Sequence, residues 1–156
     1  MKILVVDDHV PFRCGLRLFL TGIRPDIAVF EAGTLRDAHA LSQAHPDFSL
    51  CLLDLVLAGK RSIDAIASLK AKAPAIAVVM VSAVHDLATI RTCLDAGAMS
   101  FVPKRMSPEA LTKALRRVLE GEVFLPADVV KIHGDSAGTG PSYRHAMDGV
   151  PVKHPT

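Results

Sequence analysis

Three carboxylates, a hydroxyl and an ammonium stand at matching places along this chain. Asp7 and Asp8 close the apolar run ILVV, Asp54 closes LCLL, Ser82 closes VVMV, and Lys104 follows FVP. If those runs are parallel strands of one sheet, all five groups meet at the same sheet edge. Adjacent carboxylates repel one another unless a positive charge lies among them. A hard divalent cation supplies it, and Mg²⁺ accepts a few carboxylates, carbonyls, waters and phosphate oxygens rather than a full protein cage. Lys104 adds a point charge suited to a phosphoryl oxygen, and Ser82 adds a small hydroxyl donor. The chemistry on offer is therefore the binding of a divalent cation and a phosphoryl group. Plainer readings exist for each residue alone: a solvated turn or helix N-cap for Asp7-Asp8, a turn serine or N-cap for Ser82, a surface lysine for Lys104. Their shared position at the ends of apolar runs favours the site.

The elements that must position them alternate strictly. Ile3–Val6, Ile27–Phe30, Ser49–Leu53, Ile76–Val81 and Met99–Val102 are nearly continuous apolar runs, the pattern of strands covered on both faces. Between them, Phe12, Leu16, Phe19 and Leu20 make one face of a first helix. Leu35, Ala38 and Leu41 make a second, with Thr34 as N-cap and Asp37 three residues on. Ile63, Ile66 and Leu69 mark a third between Ser62 and Pro74. Leu87, Ile90 and Leu94 mark a fourth, capped by Asp86 and ended at Gly97. The fifth opens at Ser107-Pro108-Glu109, carries the stripe Leu111, Leu115, Val118 and Leu119, and stops at Gly121. Five β–α units predict an α/β fold, a doubly wound parallel sheet with right-handed crossovers. Such sheets place their sites outside the carboxyl ends of the strands.

The chain has 156 residues, half of them hydrophobic, and a formal charge of +2. That length suits one domain over residues 1–125, followed by a polar, Gly-, Ser- and Pro-rich segment at 126–156 that reads as a flexible tail. The near-balanced charge argues against a nucleic-acid surface. Cys14, Cys51 and Cys93 lack CxxC spacing and sit in apolar stretches, so buried, reduced thiols are expected. The apolar start stops at Asp7-Asp8, short of a signal-peptide core, and no segment has the length of a membrane span. A soluble, cytoplasmic protein is expected.

VVDDH, LLDL, a VS pair after a strand, and DAGAMSFVPK before a capped helix occur in the order found in receiver domains of bacterial two-component response regulators. The resemblance covers about residues 2–125. VVDDHVPFRCGL and EALTKALRRVLEGEVFLP resemble the NarL/FixJ-type subfamily. The resemblance implies a flavodoxin-like strand order 2-1-3-4-5 and a phosphoacceptor role for Asp54, served by a sensor histidine kinase or phosphotransfer protein. It also implies Mg²⁺ bound by Asp8 directly, by Asp7 largely through water, by Asp54, and by the Val56 backbone carbonyl. Ser82 and Lys104 would hold the phosphoryl group. Ser82 and Phe101 would form the switch, Phe101 filling the space that Ser82 leaves, although a permanent core position is the plainer reading of Phe101. The output is then a population shift of the face built by the fourth helix, fifth strand and fifth helix, read by a downstream protein partner or a homodimer. Such a protein is a phosphoacceptor that assists its own phosphorylation and slow dephosphorylation, not an enzyme in the ordinary sense.

Several residues depart from that family. Its usual Met-Pro-Gly turn is Leu57-Ala58-Gly59 here, followed by two cations at Lys60-Arg61; the retained glycine predicts a retained turn. Lys60 and Arg61 either contact a partner or phosphoryl group or stay solvated. Val56 and Val84 flank the approach of water, and neither can orient it. His9 and His85 lie near the site as loop residues rather than ligands. The subfamily's C-terminal helix-turn-helix has no counterpart here, so no DNA binding is expected. Two other classes compete. A Mg²⁺-dependent phosphohydrolase would need a second Asp two residues beyond its nucleophile and a cap element. A degenerate receiver would act as a phosphorylation-independent scaffold.

Overall fold

The computed structural model describes residues 1–83 and 86–126. Val84, His85 and residues 127–156, on which part of the expected water approach, one loop histidine and the expected tail fall, lie outside the described residues. The elements run β1 (Lys2–Val6), α1 (Val10–Ile23), β2 (Ala28–Ala32), α2 (Leu35–Ala44), β3 (Leu50–Asp54), β4 (Val56–Leu57), β5 (Lys60–Arg61), α3 (Ala65–Lys72), β6 (Ala77–Ser82), α4 (Leu87–Asp95), β7 (Ser100–Pro103) and α5 (Pro108–Leu119). Five parallel strands form one sheet in the order β2-β1-β3-β6-β7. With the small β4–β5 hairpin set aside, that is the expected order 2-1-3-4-5.

Alternation along the strands divides the core between two faces. Leu4, Val6, Cys51, Leu53, Val78, Met80 and Phe101 pack against Ala38, Ile66, Leu69, Ile90 and Cys93 of α2, α3 and α4. Ile3, Val5, Leu50, Leu52, Val79, Val81 and Val102 pack against Leu16, Leu20, Leu111, Leu115 and Val118 of α1 and α5. Each large side chain so buried contributes about 1.5–3 kcal/mol. The expected caps are formed, with Thr34, Asp86 and Ser107 accepting from the amides of Asp37, Thr89 and Ala110.

Strand and helix boundaries differ from the pattern in ways that matter for the site. Asp54 and Ser82 are the last residues of β3 and β6 rather than the first residues beyond them. β2 runs on through Glu31, which breaks its apolar run, because Arg13 and Arg17 of α1 neutralise that carboxylate. α3 begins at Ala65, so Ile63 packs on the core from the loop before it.

The retained glycine hides a different turn. Ala58 and Gly59 have φ of 50° and 77°, and they link Leu57 to Lys60 in a two-residue hairpin with Val56 opposite Arg61. Two positive φ values define the type I′ geometry that suits strand twist. Proline, fixed near φ −65°, cannot enter it, so Ala58 is not a passive replacement for the family's proline. Ala58→Gly should relieve the left-handed cost at the first turn position. We expect a gain of about 0.5–1 kcal/mol, a melting temperature about 2–5 °C higher in a calorimetric scan.

The cysteine expectation holds for two residues of three. Cys51 and Cys93 are buried, whereas Cys14 is exposed on α1, opposite the apolar stripe that carries Leu16. Burial raises both inner thiols, Cys93 to about 11, with Arg61 opposing and Asp86 adding to the shift. Ellman's reagent should therefore titrate Cys14 alone in the native protein and all three cysteines in urea.

After α5 the chain turns at Gly121 and lies along β7. The Phe101 amide donates to the Phe124 carbonyl at 3.1 Å, and the Phe124 amide donates to Ser100 Oγ at 2.9 Å. Leu125 is buried beside them.

Candidate functional site: an acidic pocket at the carboxyl edge

Asp7 continues the line of β1. Its amide donates to Ala32 O at 3.0 Å, and its Oδ1 accepts from the His9 amide at 2.8 Å, which turns the chain into α1. Arg13, one turn into that helix, returns to donate to the Asp7 carbonyl at 2.6 Å while its Nε pairs with Glu31 Oε1 at 3.0 Å. The first turn of α1 is thus fastened to the end of β1. Asp7 is buried and Asp8 exposed. Asp8 Oδ2 accepts from the Ala58 amide at 3.1 Å, across the pocket mouth.

Asp54 lies beside them at the end of β3, buried, with its carbonyl accepting from Ser62 Oγ at 2.5 Å. Its Oδ1 accepts from the Val56 amide at 3.3 Å. Lys104 Nζ lies 2.8 Å from Asp7 Oδ2 and 3.1 Å from Asp54 Oδ2. The Lys104 amide donates to Ser82 O at 2.8 Å, which ties the ends of β6 and β7 together. The Phe12 ring of α1 lies against the same ammonium, 4.6 Å from centroid to Nζ.

The electrostatics follow from this packing. Burial pushes the Asp54 carboxyl above its ordinary range and the Asp7 charge adds to that, while the Lys104 hydrogen bond opposes both. Burial alone would lower Lys104, but its hydrogen bonds to Asp7 and Asp54 outweigh that and hold it above its ordinary value. Asp7, Asp8 and Asp54 offer ligand oxygens all within 4.8 Å of one another. Three carboxylates against one ammonium leave two formal negative charges, which one divalent cation would balance. The donor set is all hard oxygen, as Mg²⁺ or Ca²⁺ requires. In the hairpin, Leu57–Lys60 is the pair that closes the turn. Alternation then makes Val56–Arg61 a non-hydrogen-bonded pair, so the ladder does not use the Val56 carbonyl.

Of the expected site residues, Asp7, Asp8, Asp54 and Lys104 are in direct contact or close approach. Ser82 is buried at the same edge, in register with Pro103 of β7. Phe101 is fully buried beside Met80, inward from that edge. His9 is exposed at the start of α1 and contributes its amide rather than its ring. Arg61 turns away from the carboxylates towards α4, where it donates to Thr89 Oγ1 at 3.4 Å. Arg13 and Glu31 escaped the sequence reading, and Phe12 and Ser62 were read only as helix residues, not as neighbours of the site. The signal for the first pair was a lone acid inside an apolar run facing a helix with arginines at i and i+4.

The fold is of the doubly wound α/β class, with a carboxylate cluster and a lysine at the carboxyl edge of its sheet. Comparison with known proteins narrows the class. The response regulator receiver domain family matches residues 3–116, and the chain belongs to that family. The chain is 35% identical over 130 residues to the glycerol metabolism activator of Pseudomonas putida, covering 83% of this chain and 59% of that protein. It is 32% identical over 136 residues to the response regulator protein VraR of Staphylococcus epidermidis, covering 85% and 63%. The chain thus spans about three-fifths of the length of these relatives. Among solved structures, a LuxR family DNA-binding response regulator from Silicibacter pomeroyi superposes with a TM-score of 0.70 at 37% identity, covering 82% of this chain and 98% of that one. The signal receiver domain of the NarL response regulator from Mycobacterium tuberculosis gives 0.66 at 26% identity, covering 77% and 96%. The chain is a receiver domain of the two-component response regulator type. No helix among the described residues is long and apolar enough to cross a membrane.

Proposed function

We propose that Asp54 accepts a phosphoryl group from a sensor histidine kinase or phosphotransfer protein. The observation that carries this is Lys104 Nζ held between Asp7 and Asp54 within a cluster of three carboxylates. Asp54 Oδ attacks phosphorus to form an acyl phosphate, and the donor atom leaves with the electron pair of the broken bond. A carboxylate is a poor nucleophile towards an anionic centre, so fixed positive charge at the transferring oxygens is the help a protein can give. Mg²⁺ held by Asp7, Asp8, Asp54 and the Val56 carbonyl would supply part of that charge. Lys104 supplies the rest and moves from carboxylate to phosphoryl oxygen. Ser82 donates to the phosphoryl group, and Phe101 turns into the space that Ser82 vacates. The product is a changed α4–β7–α5 face, offered to a downstream protein or to a second copy of the chain.

Val56 beside the pocket cannot orient a water for attack, so the acyl phosphate should be long-lived. Relatives named as DNA-binding or as transcriptional activators make a transcriptional output the natural destination of the signal. The test is intact mass after incubation with Mg²⁺ and acetyl phosphate. One phosphoryl adduct, absent from Asp54→Ala, is expected. Turnover of acetyl phosphate without an adduct would mean a hydrolase, and no reaction would mean a phosphorylation-independent scaffold.

A further inference from the structure

Phe12 lies on the first turn of α1, partly buried against the core on that face, with its ring 4.6 Å from the Lys104 ammonium. Lys104 ends a flexible four-carbon stem, and its side chain retains 18% exposure, so solvent is open to it. What keeps it in the pocket is plain: Asp7 Oδ2 and Asp54 Oδ2. Those two carboxylates also belong to the cluster of three that would hold the divalent cation in the phosphoacceptor reading, on which this inference rests. A cation that takes them both competes with Lys104 and repels it. The ring face attracts a cation through its quadrupole yet offers a hard metal nothing comparable to a carboxylate. It is the one partner of the ammonium described here that metal binding does not claim.

We propose that Phe12 is a positioning residue for phosphoryl capture, its ring holding the Lys104 ammonium beside Asp54 when the carboxylates are engaged elsewhere. The geometry of α1 serves this directly. Pro11 and the His9 amide fix the start of the helix, and Arg13 clamps it to the Asp7 carbonyl, so the ring is carried on a braced turn. Neighbouring residues on one turn therefore set two charges: Arg13 fixes the backbone of Asp7, and Phe12 fixes the tip of Lys104.

The test replaces Phe12 by mono-, di- and trifluorophenylalanine, which weaken the negative ring face stepwise at nearly constant size, and by Leu and Tyr. In the metal-free protein the Lys104 ε-methylene protons should lie upfield through the ring current and return to ordinary shifts in Phe12→Leu. The rate of adduct formation with acetyl phosphate and Mg²⁺ should fall stepwise along the fluorinated series, by roughly two- to thirtyfold in all. Phe12→Tyr, which keeps the ring face, should restore the rate, whereas Phe12→Leu should not. Ordinary ε-methylene shifts in wild type, or a flat fluorination series alongside a normal wild-type adduct, would overturn the positioning role alone. A wild-type protein that takes no adduct would sink the phosphoacceptor reading and this role with it.

Discussion

Asp54→Asn protein is expected to take up no phosphoryl group and, without metal, to melt at a higher temperature than wild type. Both effects come from one carboxylate. Asparagine keeps the shape and can still accept from the Val56 amide, but its amide cannot form an acyl phosphate. The stability gain follows from the surroundings of Asp54, which is buried next to the Asp7 charge, so that its pKa is raised despite Lys104. A carboxyl raised in the folded state contributes stability below its unfolded pKa, and that contribution is lost as pH rises through the folded value. At neutral pH wild type has lost it. The neutral variant stands in for the protonated form at every pH, keeps that contribution, and should be more stable by about 1 kcal/mol, roughly 2–5 °C. Its melting temperature should also lack the fall expected of wild type as pH rises from the ordinary carboxylate range through the raised folded value. Mg²⁺ should then raise wild type more than the variant, since ligand binding to the native state adds stability in proportion to affinity. Equal melting curves for the two proteins across that pH range would show that Asp54 is not under the strain described.

Lys104→Met should slow adduct formation by about 10²–10³-fold while tightening Mg²⁺ binding. Methionine approximates the length of the stem and removes the charge. In the metal-free protein nothing then separates Asp7 from Asp54, and stability should fall by about 1–3 kcal/mol. The cation fills the same gap that the ammonium did. As Mg²⁺ is added, the melting temperatures of variant and wild type should therefore converge, and calorimetric titration should give the variant the lower Kd. A variant that binds Mg²⁺ more weakly would mean that Lys104 helps to build the metal site rather than competing for it.

Much of this was legible in the sequence because strand ends are easy to see. Apolar runs closed by Asp7, Asp54 and Ser82 located the sheet edge, and parallel alternation brought those residues together before any coordinate did. The caps at Thr34, Asp86 and Ser107 were legible for the same reason, since each depends on neighbours three residues away. What was not legible depends on pairing between distant segments. Glu31 looked like the end of a strand until Arg13 and Arg17 faced it across the packing of α1 on β2. Cys14 looked apolar by its neighbours, yet its position on the helix turns it outward. The turn after Asp54 kept its glycine but took a form closed to proline, because φ at Ala58 is set positive by the hairpin and not by residue type.

The hydrogen bond from Phe101 to Phe124 has its own outcome for the molecule. The outer border of the sheet is closed by the chain's own departing segment, which denies that border to strand addition by another molecule. A protein trimmed at the end of α5 would lose this seam and bare the backbone of β7. The segment that follows α5 thus lies beside the strand that carries Phe101 and leads into Lys104. A displacement of that strand would therefore pass through the Phe101–Phe124 hydrogen bond to the segment that follows α5.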